Sequence, residues 1–312
     1  MTLEEAIAKI KPLDHNAMEI AQKRWDSIAK PLHSLGKLET LLIQIAGITG
    51  NAEVDLSRRG LIAMCADNGV VEEGVTQTGQ EVTAIVAENF LKYDTSVGVM
   101  CKQNHAEIFP VDMGMVTDTK VRTDHKIAYG TQNMTKGPAM TREQAVKGLE
   151  AGIDMVRELN DKGYRILATG EMGIGNTTTS SAVASVLLKQ PVEEMTGRGA
   201  GLTSEGLVRK INAIKKAIAL NKPDPEDAID VLAKVGGLDI AGMAGVFLGG
   251  AVYGIPVVMD GFISCVSALI AMRICPAARD YILASHVSNE PAAHLILENM
   301  GNADMKMDDL GA

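Results

Sequence analysis

The sequence predicts an α/β protein with a mostly parallel sheet and flanking helices, preceded by a helical segment. Three observations carry this. Hydrophobic residues make up 46% of the 312 residues and aromatics only 3%, so the core must come from Ala, Val, Ile, Leu and 17 Met. That mixture suits helices on a parallel sheet better than a β-sandwich. Short apolar runs alternate with helical periods, the pattern of right-handed βαβ crossovers. Several of those runs end in an acid and a glycine, as turns at strand ends do.

The first fifty residues read as helices. Apolar residues at helical spacing run from Leu3 to Ile10 and from Asn16 to Ile28, broken by Pro12 and Pro31, and a third helix from Leu38 to Ile48 ends at Gly50. A first strand is expected over Gly60 to Ala66, then a helix from Glu81 to Leu91, and a second strand from Ala106 to Val111. Thr141 is placed to cap a helix running to Leu159, followed by a strand from Tyr164 to Ala168 and a turn at Thr169-Gly170-Glu171. Helices Ser180–Leu188, Val208–Leu220 and Pro225–Val235 lead to a glycine-rich helix and a short strand, Val257 to Met259. In open parallel sheets the ligand crevice lies at the carboxyl ends of the strands. Asp67-Asn68-Gly69, Asp112-Met113-Gly114, Gly170-Glu171 and Asp260-Gly261 therefore suggest one site built from several loops, although each alone is also a good turn.

Charge and composition exclude several functions. The net charge is −9, the wrong sign for a nucleic-acid binder, so no nucleic acid is expected. Cys65, Cys101, Cys265 and Cys275 are scattered among apolar residues and read as free core thiols. The acidic N-terminus is unlike a signal peptide, which points to the cytoplasm. Ile240 to Met259 is a charge-free stretch of membrane-span length, but five glycines and Pro256 divide it into a helix and a strand, so no membrane is expected as a partner. The six histidines show no H-x-x-x-H spacing; no metal and no cofactor are expected.

The most informative stretch is Ala168 to Thr179, where Gly170, Gly173 and Gly175 precede Asn176-Thr177-Thr178-Thr179 at a helix start. Backbone N–H groups and hydroxyls there suit a phosphate or carboxylate. The lysine of a P-loop is absent. Glu171, set among glycines, is a candidate general base. Gly197-Arg198-Gly199-Ala200-Gly201, with Lys210 on the next helix, is a second candidate phosphate cradle, and Ser285-His286-Val287-Ser288 offers hydroxyls and an imidazole.

Taken in order, these stretches resemble one family along residues 5 to 301. The segments are Lys30 to Glu39, Ala66 to Val70, Glu73 to Thr76, Glu81 to Ala84, Gly170 to Thr178, Gly197 to Gly201, Lys234 to Gly237, Asp260 to Ser264 and Ser285 to Ser288. Together they look like the nicotinate-nucleotide:dimethylbenzimidazole phosphoribosyltransferases. The resemblance implies a large Rossmann-like domain (residues 56–290) and a small helical domain made from both chain ends (1–55 and 291–312). It implies phosphoribosyl transfer from nicotinate mononucleotide to 5,6-dimethylbenzimidazole or a related base, giving α-ribazole 5′-phosphate and nicotinate. Glu171 is then expected to face the incoming base, with Thr78, Val86, Met172, Asp260 and Phe262 lining its pocket. Gly173, Gly175, Asn176, Thr177, Gly199, Lys210 and Ser288 fall to the nucleotide and its phosphate. A homodimer, or a heterodimer with a related subunit, is implied as well. The family pattern continues with Arg-Leu-Gly-Glu-Gly, whose glutamate is the family's base, and its spacing places that glutamate at or past Ala312. The competing reading is accordingly a non-catalytic subunit that binds nucleotide or base and needs a partner for that glutamate.

Overall fold

The computed structural model describes residues 1–300. Three helices come first: α1 (Leu3–Ile7), α2 (His15–Ser27) and α3 (Lys37–Thr49). Strand β1 (Arg59–Ala66) is followed by α4 (Glu81–Lys92) and α5 (Ser96–Gln103), then β2 (Ala106–Gly114), α6 (Arg142–Asp161) and β3 (Ile166–Met172). A long helical excursion separates β3 from its next neighbour: α7 (Asn176–Leu188), α8 (Val192–Met195), α9 (Ser204–Asn221), α10 (Ala228–Val235) and α11 (Leu238–Tyr253). The chain closes through β4 (Val257–Met259), α12 (Phe262–Ile274), β5 (Ile282–Ala284) and α13 (Ala292–Asn299).

All five strands are parallel, in the order β2-β1-β3-β4-β5. The expected α/β architecture is present, and every sheet pairing is parallel. The order reverses direction between β1 and β3, because the chain moves first to one side of β1 and then to the other. That reversal opens a crevice at the carboxyl ends of β1 and β3.

Alternation along the strands builds two cores. Ile62, Met64, Val111, Met113 and Leu167 face the large core with α6, α7, α11 and α12, while Ala63, Cys65, Ile108 and Met115 face a smaller one under α4 and α5. Leu3, Ala6, Ile45 and Ile48 join the large core, so the N-terminal helices are packed into the main body. The Leu3 N–H donates to Glu150 on α6, and Gln44 on α3 donates to the carbonyls of Asp280 and Ile282. Of the segment expected as the C-terminal part of the small domain, 291–312, the described residues hold α13, which packs against α7 and α12; residues past Met300 lie outside the described residues.

The glycine-rich segment is α11, buried on all sides. It crosses α6 with the backbones almost touching: a Cβ on Gly245 would collide with the Leu149 carbonyl, and one on Gly152 with the Gly242 carbonyl. Glycine is therefore required for helix contact here. No helix among the described residues is long and apolar enough to cross a membrane.

Two expected boundaries move near the crevice. The strand expected to stop at Ala168 continues through Glu171 to Met172, because Cys65 and Met64 on β1 still pair with Met172 and Glu171. The helix expected from Ser180 starts four residues earlier at Asn176, behind an N-cap Gly175 with φ +94°. The glycine loop is thus short and stiff. Helices α5, α8, α12 and α13 and strand β5 go unmarked in the sequence reading.

Candidate functional site

Glu171 sits near the end of β3, beside β1, where the strand order reverses. The Asn176 side chain donates to Glu171 Oε2 at 2.8 Å from the first turn of α7. Burial pushes the Glu171 carboxyl up to about 7, the nearby carboxylates of Asp239 and Asp260 add to the rise, and the Asn176 hydrogen bond opposes it. Glu171 therefore titrates near neutrality, where a proton acceptor is most effective.

A cleft of about 280 Å³ opens in front of it, lined by Gly170, Glu171, Thr177, Gly199, Met243, Asp260, Gly261, Phe262, Ile263, Ser264, Ser288 and Glu290. Six of the sequence-predicted residues meet there: Glu171, Thr177, Gly199, Asp260, Phe262 and Ser288. A second hollow of about 130 Å³ lies on the other side of the glycine loop. It holds Thr78, Gly173, Gly175 and Asn176, with Gln77, Arg198 and Leu202. Thr177 borders both.

Lys210 lies behind Thr177 and lines neither hollow. It is fully buried, and its ammonium donates to Thr177 Oγ1 at 2.8 Å and to the Gly197 carbonyl at 3.1 Å. Burial lowers its pKa to about 8, against the pull of the Glu290 carboxylate. Its charge reaches the cleft through Thr177. Val86 and Met172 lie elsewhere, packed into the small core under α4, and border neither hollow.

The acids at the other strand ends have structural partners. Asp67 is fully buried and accepts from the Val116 N–H at 2.8 Å; burial raises its carboxyl. Asp112 accepts from the Met115 N–H at 2.8 Å and pairs with Lys126 at 3.1 Å. Of the four acid–glycine strand ends, those of β3 and β4 reach the cleft and those of β1 and β2 shape its supports.

Three participants escaped the sequence reading. Glu290 Oε1 accepts from the Gly199 N–H at 3.0 Å. Met243 supplies an apolar wall. Asp239, completely buried at the start of α11, is raised to about 7 by burial and lies close enough to Glu171 to raise that carboxyl too. Its only sequence signal was an acid two residues after Gly236-Gly237, at the head of an apolar stretch. Away from the cleft, Asp124, His125 and Glu158 converge, but the Arg122 guanidinium already ion-pairs with both carboxylates. Folding assembles that group from a loop and α6, so no short-range spacing announces it.

The fold and cleft define a doubly wound α/β protein that presents one near-neutral carboxylate and a glycine-hydroxyl wall to the same ligand space. A phosphoribosyltransferase family model matches residues 10–310. Over 307 residues the chain is 52% identical to the nicotinate-nucleotide–dimethylbenzimidazole phosphoribosyltransferase of Ruminiclostridium cellulolyticum, covering 98% of this chain and 87% of that one. It is 51% identical over 302 residues to the enzyme of the same name from Clostridium acetobutylicum, covering 96% and 86%. The crystal structure of the nicotinate-nucleotide–dimethylbenzimidazole phosphoribosyltransferase from Thermus thermophilus superposes with a TM-score of 0.85 at 36% identity, over 93% of this chain and 87% of that chain. This chain belongs to the nicotinate-nucleotide–dimethylbenzimidazole phosphoribosyltransferase family.

Proposed function

We propose that this protein transfers the phosphoribosyl group of nicotinate mononucleotide to 5,6-dimethylbenzimidazole or a related base. A nitrogen of the base forms a bond to C1′, the bond from C1′ to the pyridinium nitrogen breaks, and its electron pair neutralises the departing nicotinate ring. Inversion at C1′ gives α-ribazole 5′-phosphate. The ring is cationic before it leaves, so the chemistry needed is positioning plus removal of the azole proton.

One observation carries the reading: Glu171 and the Thr177–Gly199–Ser288 wall face the same cleft. The wall offers the Thr177 and Ser288 hydroxyls, with Lys210 hydrogen-bonded to Thr177 from behind, suited to a 5′-phosphate. The Gly199 N–H, now bonded to Glu290, becomes a further donor if that carboxylate moves. Glu171 and the apolar Phe262 and Met243 suit an aromatic base. Thr78, expected on the base side, lines the second hollow one loop away, together with Gly173, Gly175 and Asn176 of the nucleotide side. We further propose a cytoplasmic enzyme that works as a dimer of two related subunits.

The test is formation of α-ribazole 5′-phosphate from the two substrates by the purified protein, alongside Glu171→Gln. The expected loss in the variant is about 10²- to 10⁴-fold in kcat, the usual size of a proton-transfer contribution. Absence of product, or an unaffected Glu171→Gln, would reject the assignment.

A further inference from the structure

Beneath Glu171 lies a second acid that the reaction as written does not use. Asp239 is the second residue of α11 and is wholly inaccessible. Two glycines make room for it. A Cβ on Gly173 would stand 2.5 Å from Asp239 Oδ2, and one on Gly237 would collide with Oδ1 and lie 2.6 Å from Asn68 Oδ1. Oδ1 accepts from the Ile240 N–H at 2.9 Å. Oδ2 has no hydrogen-bond partner among the described residues, nor does the neighbouring buried Asn68 Oδ1. No salt-bridging cation accompanies Asp239 among the described residues.

An ionised carboxylate so enclosed, with an oxygen that lacks a donor, is costly. A neutral carboxylic acid is not, because its O–H can serve an acceptor such as Asn68 Oδ1. Glu171 is better placed to hold charge: it borders the cleft and receives the Asn176 N–H. Two neighbouring carboxyls away from water do not both ionise readily.

We infer that Asp239 is a positioning residue that retains one proton, so that Glu171, its neighbour across the Asn176 amide, stands ionised at the cleft wall. The surroundings agree. Facing Glu171 are Asp239 from α11, Asp260 from the end of β4, Asn176 from α7 and the Cys65 thiol from β1. Facing Asp239 are Glu171, Asn68, Asn176 and the Ile240 N–H. Asp112, the next acid along the strand ends, is balanced by Lys126. The Cys65 thiol, buried among Asp112, Glu171 and Asp239, is pushed well up and stays neutral. Burial is the largest influence on both carboxyls and raises both; the Asn176 and Asn68 amides oppose it at Asp239, and the Asn176 amide opposes it at Glu171.

The location of the proton can be read without turnover. Infrared spectra of the ligand-free protein at neutral pH should show a carboxylic-acid C=O band that shifts on ¹³C-labelling of aspartate carboxyls and stays in place on labelling of glutamate. The band should vanish in Asp239→Asn, and Asp67→Asn serves as the control for the other buried aspartic acid. A band that follows the glutamate label, or survives Asp239→Asn, overturns the inference. If Asp239→Asn misfolds the question stays decidable, because an aspartate-labelled band that survives Asp67→Asn supports Asp239 and one that vanishes there overturns the inference. The second arm rests on the proposed reaction. In Asp239→Asn the acid limb of the kcat/KM profile should keep its place, because a neutral amide replaces a neutral acid. A limb that moves to lower pH, raising the rate ratio between pH 6 and pH 8 toward tenfold (about one pKa unit), would show that Asp239 was ionised and overturns the inference. If no substrate turns over while the infrared assignment holds, the proposed reaction fails and the proton assignment stands.

Discussion

Lys210 is a cation that the fold has already desolvated before any ligand arrives. Of its three protons, two go to Thr177 and the Gly197 carbonyl, and burial has brought its pKa down to about 8. A bound phosphate beside Thr177 stabilises the ammonium, so binding takes up a proton where Lys210 is otherwise neutral. Affinity for nicotinate mononucleotide should therefore hold below pH 8 and fall as pH rises through about 8. Calorimetry across pH 6.5–9.5 measures this. Lys210→Met, which keeps most of the volume, should weaken binding about 10- to 100-fold and flatten the pH dependence, since hydrogen bonds to charged groups contribute about 1.5–3 kcal/mol. In the same experiment Glu290→Gln should tighten binding about 5-fold, because its carboxylate occupies the Gly199 N–H near Lys210 and must yield to an incoming anion. A variant that binds as wild type would detach these groups from the phosphate. At this scale much was legible: Glu171, Thr177, Gly199 and Ser288 stood in glycine- or hydroxyl-rich motifs. Asp239 and Glu290 were not, because each matters through a neighbour remote in sequence.

The contact of α6 with α11 shows how an element can mislead as a sequence and make sense as a packing unit. Ile240 to Tyr253 is charge-free because α6, α12 and the sheet surround it; Gly245 and Gly249 leave room for α6, while Gly242 and Gly250 leave room for side chains and backbone on the sheet side. Gly245→Ala places a methyl against the Leu149 carbonyl, and neither backbone can retreat without opening the core. Overpacking of this kind costs about 1–3 kcal/mol. The expected outcome is a Tm lower by several degrees, with residual activity in the folded fraction; an unchanged Tm would mean the helices part more easily than their contacts imply. Long amphipathic elements such as α6, with Thr141 as its cap and Gln144 closing a capping box, were readable because their pattern is local. Helix α12 was not: nearly every turn of it is buried, so it lacks a polar face, and β5 has only three residues.

At the level of the whole molecule, strand order places the chemistry. Composition and alternation indicated a parallel sheet, but no local pattern states that the order is β2-β1-β3-β4-β5, and that order is what opens a crevice beside Glu171. The N-terminal helices raise a second question of assembly. The turn joining α2 to α3 is rigid: Lys30 and the buried Glu39 pair at 2.8 Å, and Glu39 also accepts from the Leu35 N–H. Lys30 and the Leu35 N–H hold the Glu39 carboxyl below its usual range. On this braced turn Ile28, Leu32, Leu35 and Leu38 are all about half exposed or more, with Leu32 at 65%. Holding four large aliphatic groups in water on a turn that cannot fold them inward is unfavourable unless another surface covers them. Closed twofold pairing is the commonest way such a patch is buried. The protein should therefore run as a dimer in light scattering at micromolar concentration. Leu32→Asp with Leu35→Asp should shift it to monomer without altering its helix content, since neither side chain contributes to the core. A wild-type protein that scatters as a monomer, or a double variant that remains dimeric, would remove this turn from the interface.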